Sequence, residues 1–277
     1  MSTLASLRPG RQHLFGIAAF LATLVALAFL LLPLVALFTN TDPATFIDSL
    51  SKPANQEALL LSLKTSAMAM AILLLLGTPA AYFLAMKSFR GRSAVLTLIE
   101  LPLVMPPTVA GIALLAAFGP SGLLGPTLER FGVELVFQTA GVVVALVFVA
   151  SPFYLRQAVA SFAAIDRGLL DTSRTLGSGP LKTFLRVAIP VARPGLSTGA
   201  ALAWARALGE FGATLLFAGS LAAVTETAPL AIFARFSDPD GFEQAIALSV
   251  VLICVSAALL IAVKLTGRDR AVEGRGL

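Results

Sequence analysis

Residues 14–38 read LFGIAAFLATLVALAFLLLPLVALF, twenty-five positions without a charge or an amide. As a helix rising 1.5 Å per residue, this run is long enough to cross the ~30 Å hydrocarbon core of a bilayer. Arg8 and Arg11 precede it as in a signal peptide. The run is too long for a signal-peptide core, however, and no small-residue cleavage site follows, so it reads as a retained anchor. Five further apolar runs follow at 65–86, 93–118, 139–155, 195–220 and 242–264. The chain therefore reads as an all-α membrane protein of six transmembrane helices.

The composition agrees. Of 277 residues, 57% are hydrophobic and 13% charged, whereas soluble domains carry about a quarter charged residues. The single cysteine, Cys254, excludes an internal disulfide and a multi-cysteine zinc site. The single histidine, His13, lies ahead of the first run, which argues against a Ser-His-Asp triad.

The net charge of +5 is a matter of placement. One alternate set of connecting segments holds fifteen Lys and Arg residues: Arg8, Arg11, Lys87, Arg90, Arg92, Arg156, Arg167, Arg174, Lys182, Arg186, Arg193, Lys264, Arg268, Arg270 and Arg275. The other set holds only Lys52, Arg130 and Arg235. Basic residues resist translocation, so fifteen against three puts both termini in the cytoplasm and makes the basic balance a topology signal, not a nucleic-acid footprint.

One cytoplasmic connection stands out, because residues 156–194 span 39 positions while 87–92 span six. Asp166 can cap a helix running to Leu176, Gly177 suits a left-handed C-terminal position, and Pro180 can open a second short helix that Pro190 ends. Lys182 and Arg186 then share a face at i,i+4. An ordinary basic inside loop is the plainer reading; the length and helical punctuation favour a docking surface. Residues 177–183, GSGPLKT, superficially suggest a phosphate loop. Leu181 stands where that motif needs glycine directly before the lysine, and no buried strand precedes it.

Four charges are candidates for burial in the membrane: Lys64 at the outer edge of the second run, Glu100 in the third, and Arg206 and Glu210 in the fifth. Each costs roughly 2.5–3.5 kcal/mol at the bilayer centre, so each calls for a partner or a polar path. Lys64 can snorkel outward. Arg206 and Glu210 are i,i+4 in the fifth run, either neutralising each other or leaving Arg206 to attract a passing anion. Gly195, Gly199, Ala203 and Ala207 make a small-residue stripe beside them, suited to close helix contact. Glu100 precedes Pro102, Pro106 and Pro107, which point to a kinked or broken third span; such spans often border a transport path.

Residues 171–173, DTS, followed by Gly177 and then VAIP at 187–190, resemble the E-A-A-x3-G-x9-I-x-L-P signature of ABC-importer permeases. In that family this loop inserts into a cleft of the ATPase subunit. The block ARALGEFGATLLFAG at 205–219, TETAP at 225–229, LLSLKT at 60–65 and LPLVMPPTVAG at 101–111 look like the molybdate branch. Two departures stand out: Asp171 replaces the glutamate, and Thr172 with Ser173 replaces both alanines.

The resemblance implies a prokaryotic inner-membrane permease subunit of an ATP-driven importer of molybdate or tungstate, with sulfate, thiosulfate or another oxyanion as the alternative. It implies a homodimer forming the pore, two cytoplasmic ATPase subunits that hold the ATP and magnesium, and an external oxyanion-binding protein. This chain would then be no enzyme and hold no cofactor or metal. Asp171, Thr172, Ser173, Gly177, Lys182, Arg186 and Pro190 would serve ATPase coupling. Glu100, Pro106, Pro107, Arg206 and Glu210 are the pathway or gating candidates. The expected organisation is an N-terminal tail, anchor and external loop (1–57), a permease core (58–264) and a cytoplasmic tail (265–277). A secondary transporter is less well supported, for want of a clear repeat and of further buried ionisable groups.

Overall fold

The computed structural model describes residues 9–268, so Arg8, Arg270 and Arg275, and the tail beyond 268, lie outside the described residues. Helix α1 (Pro9–Thr39) and the short α2 (Pro43–Ser51), capped by the Asp42 carboxylate on the Thr45 N–H at 3.1 Å, precede the core. Then come α3 (Pro53–Ile72), α4 (Thr78–Met86), α5 (Arg92–Val104), α6 (Pro107–Phe118) and α7 (Gly125–Arg130). The long α8 (Thr139–Ala163) follows, then α9 (Arg167–Thr175), α10 (Pro180–Thr183), α11 (Ile189–Leu208), α12 (Gly212–Ala218), α13 (Ala228–Ser237) and α14 (Phe242–Arg268).

Four stretches among the described residues are long and apolar enough to cross a membrane: Phe15–Thr39, Pro53–Met86, Thr139–Ala163 and Phe242–Val263. The third apolar run qualifies only as a pair, since α5 and α6 meet at 118°. The cause is local. Met105 and Pro106 both adopt extended ψ values, 129° and 140°, the conformation that a following proline imposes.

The fifth run departs from the single helix expected over 195–220. Helix α11 ends at Leu208, and the chain resumes helical conformation only at Gly212. Pro190 also behaves differently from the expected stop. Helical conformation continues from Pro180 to Leu208, because a π-turn at Phe184–Ala188 joins α10 to α11. A second π-turn, Leu73–Gly77, joins α3 to α4 just ahead of Pro79. In both places the residue four before the proline, Leu75 or Arg186, lies inside the wide turn. There its carbonyl is moved out of the path of the proline ring, and the helix survives.

The core is organised around α8. Val142, Leu146, Ala150, Tyr154, Ala158 and Phe162 recur every four residues and are all buried. Helices α3, α4, α5, α11 and α12 pack on it. Lipid is as apolar as leucine, so helix association here relies on close fit. The small-residue stripe supplies it: a Cβ on Gly199 would sit 3.0 Å from the Gln157 Cβ of α8, and Ala203 and Ala207 are buried. Tyr82, Phe162 and Phe184 form an aromatic cluster, with ring centroids 5.3 Å apart for Tyr82–Phe162 and 4.8 Å for Tyr82–Phe184. It ties the π-turn at Phe184–Ala188 to α4 and α8.

Candidate functional site

The loop end is a rigid corner. The Asp166 carboxylate accepts the Gly168 N–H at 2.8 Å and starts α9, while buried Leu170 anchors that helix. At its other end Gly177 takes φ +82°; its N–H donates to the Arg174 carbonyl and the Ser178 N–H to the Ser173 carbonyl, the paired bonds of a Schellman cap. A Cβ on Gly177 would meet nothing within 4 Å, so the glycine is required by its backbone conformation and not by space. The Ser173 hydroxyl lies 3.2 Å from that of the fully buried Thr183, which fixes the two arms of the corner to each other.

Asp171 pairs with Arg174 at 3.1 Å on the exposed side. Thr172, Lys182, Arg186 and Pro190 are exposed as well. Leu169, Leu176, Leu181 and Leu185 are also exposed, Leu176 to 80%. Single leucines in a loop carry no periodic signal, and the sequence reading passed over them.

The second locus lies where two broken helices meet. A Cβ on Gly212 would fall 2.6 Å from the Pro107 Cβ, and one on Gly111 2.7 Å from the Leu216 Cβ. The break before α6 is thus packed against the break before α12. Glu210 sits in the second break with its side chain 1% exposed. One carboxylate oxygen accepts the Ala213 N–H at 2.7 Å, satisfying the first turn of α12, and the other is 2.5 Å from the Arg206 guanidinium. Arg206, on the last turn of α11, keeps 29% of its side chain accessible. The expected pair is therefore present, although Glu210 lies beyond the end of the helix that carries Arg206. The arrangement offers one partly accessible cation whose counter-charge is held underneath it.

Glu100 is placed elsewhere, ion-paired with Arg156 of α8 at 3.4 Å with both side chains largely open. The structure brings Pro107, Arg206 and Glu210 into one neighbourhood and gives Glu100 a partner at the α5–α8 contact.

Residues 74–269 match the family described as binding-protein-dependent transport system inner membrane component. The chain belongs to this family. It is accordingly a multi-pass protein of the inner membrane. Over 247 residues it is 42% identical to the molybdenum transport system permease protein ModB of Mycobacterium tuberculosis, covering 88% of this chain and 92% of that one. It is 31% identical to the molybdate/tungstate transport system permease protein WtpB of Pyrococcus abyssi, across 92% of this chain and 96% of the other. The fold matches a chain in the crystal structure of a bacterial ABC transporter involved in import of the acidic polysaccharide alginate. There the TM-score is 0.76 at 15% identity, over 94% of this chain and 97% of that chain.

Proposed function

We propose that the chain is the transmembrane subunit of an ATP-driven importer of molybdate or tungstate. Two copies form the pore, two separate ATPase subunits dock on the cytoplasmic side, and an external binding protein delivers the oxyanion. Each copy crosses the membrane six times, with α5–α6 and α11–α12 as broken spans and both termini in the cytoplasm, as the fifteen-to-three distribution of Lys and Arg supports. The ATPase contact is residues 166–190, and Arg206 meets the passing anion.

The observation that carries this reading is the corner at Gly177. It is closed by a Schellman cap, bonded to its second arm, rimmed by exposed leucines, and followed by a helical rod that ends at Leu208 with Arg206 on its last turn. From Pro180 to Leu208 that rod extends about 44 Å at 1.5 Å per residue. A push on the corner is therefore delivered to the base of the anion site. The likeness to molybdenum permeases over most of both chains supports the substrate class.

The test is uptake by proteoliposomes containing the chain, its ATPase and its binding protein. ATP-dependent accumulation of labelled molybdate, competed by tungstate far better than by sulfate, is the expected result. Sulfate uptake that molybdate does not compete would replace the substrate assignment. No uptake of any tetrahedral oxyanion by an intact complex would remove it.

A further inference from the structure

We infer that Ser62 and Thr227 are positioning residues for Arg206, acting through the buried carboxylate of Glu210. The inference rests on the proposed meeting of Arg206 with the permeant anion and concerns what happens to Glu210 at that moment. An arginine that turns toward a dianion must loosen its hold on its own counter-ion. A carboxylate left alone in a membrane-buried core is costly, so a lone pair of charges would stay locked.

The structure provides a way out. Glu210, Ser62, Thr65 and Thr227 line one small void between α3, the end of α11 and the start of α13, too tight to admit a water molecule. The Thr65 hydroxyl is committed to the Leu61 carbonyl of its own helix at 2.8 Å. Ser62 is different: its oxygen accepts the Ala228 N–H at 2.7 Å, which leaves its hydrogen to be donated. Thr227 is buried and its hydroxyl has no partner among the described residues. Two hydroxyl donors thus border the void that Glu210 borders, while the Ala213 N–H already holds its other oxygen.

Hydroxyl rotation is cheap and needs no backbone movement. As Arg206 turns to the anion, Ser62 and Thr227 donate to the vacated oxygen and carry the charge. As the anion leaves, Arg206 returns. Without these donors Glu210 retains Arg206 and the anion must compete with a complete ion pair. Ser and Thr are ordinary in membrane helices and loops, so neither residue draws notice in the sequence; only the fold brings them to Glu210.

The test compares variants in the reconstituted importer, with co-migration of the subunits in detergent as the check on assembly. Thr227→Val keeps the shape and removes the hydroxyl, and should slow oxyanion uptake on the order of tenfold, while Thr227→Ser should restore it. Thr65→Val should transport as the parent does. Uptake at the parent rate in Thr227→Val, or equal defects in the Val and Ser variants, would overturn the inference. If Thr227→Val does not assemble, Ser62→Ala, with rescue by Ser62→Thr, decides in the same way.

The double variant Arg206→Met with Glu210→Gln separates this idea from the one beneath it. Full uptake by that variant removes Arg206 from the path altogether. Slow uptake there with normal uptake in Thr227→Val removes only the role of the hydroxyls.

Discussion

Two kinds of interruption divide the helices of this chain, while Pro33, Pro102, Pro152 and Pro194 are carried inside α1, α5, α8 and α11 with neither. At Pro79 and Pro190 a π-turn widens the preceding backbone and the helix continues. At Pro106–Pro107 the chain turns through 118°, and at Gly209–Phe211 a second helix stops. The difference lies in what the neighbouring residues permit. An isolated proline costs one hydrogen bond and one clash, which a single wide turn absorbs. Two successive prolines force extended backbone at the residue before each, and no helical turn survives that. A continuous rod transmits displacement, whereas a break exposes backbone donors and gives a carboxylate such as Glu210 a place off the helix. In this chain the rod runs from the loop corner to the break.

The sharpest way to break that contrast is at the charged break. Arg206→Met leaves the Glu210 carboxylate buried without its counter-charge, with the Ala213 N–H and the neutral Ser62 and Thr227 hydroxyls as its donors. Stranding an uncompensated buried charge costs about 3–5 kcal/mol, and neutral hydroxyl donors offset only part of that, so less folded complex should be recovered from membranes. Adding Glu210→Gln should return most of that loss, since the glutamine oxygen still accepts the Ala213 N–H. A single variant as well folded as the double would show that the break holds no true charge pair.

The sequence displayed the rods better than the breaks. Apolarity at 65–86, 139–155 and 242–264 is enough to announce a span, because lipid exposure demands it on every face. The capping residues Asp166 and Gly177 were equally plain, since each acts through its own backbone neighbours. The stop before Gly212 was not legible: GEFGATLLF stays apolar around one acid, and a composition that allows a helix does not reveal where tertiary contact with Pro107 ends it. Pro190 misled for the opposite reason. Proline is a strong local signal for ending a helix, and the π-turn that overrides it leaves no mark of its own.

The second test, of smaller effect on folding, is at the corner that feeds the rod. Gly177 has open space around its Cα but a left-handed backbone, so the substitution that matters is one that resists positive φ. Gly177→Val should strain the cap by roughly 1–3 kcal/mol, enough to unseat the corner while the spans stay inserted. Gly177→Asn, which tolerates the left-handed region, should keep most activity. Oxyanion-stimulated ATP hydrolysis of the assembled complex reads the difference. Equal loss in both variants would mean that a partner packs directly on the glycine surface and that conformation is secondary.

The smallest effect is expected at Pro190, and it tests whether the rod is truly continuous. A proline in the interior of an ordinary α-helix costs about 3 kcal/mol, so replacing it with alanine there should stabilise by a comparable amount. Here the π-turn at Phe184–Ala188 has already moved the Arg186 carbonyl away from the ring, and Phe184 is tied to Tyr82 by ring contact. Pro190→Ala should therefore gain little, on the order of 1 kcal/mol or less of stability and so only a small rise in the thermal midpoint of the purified complex, because the penalty it would relieve is largely absent. A stabilisation near the full interior value would mean that the proline strains this helix, and that the rod between corner and break bends at Pro190 instead of passing a push through it.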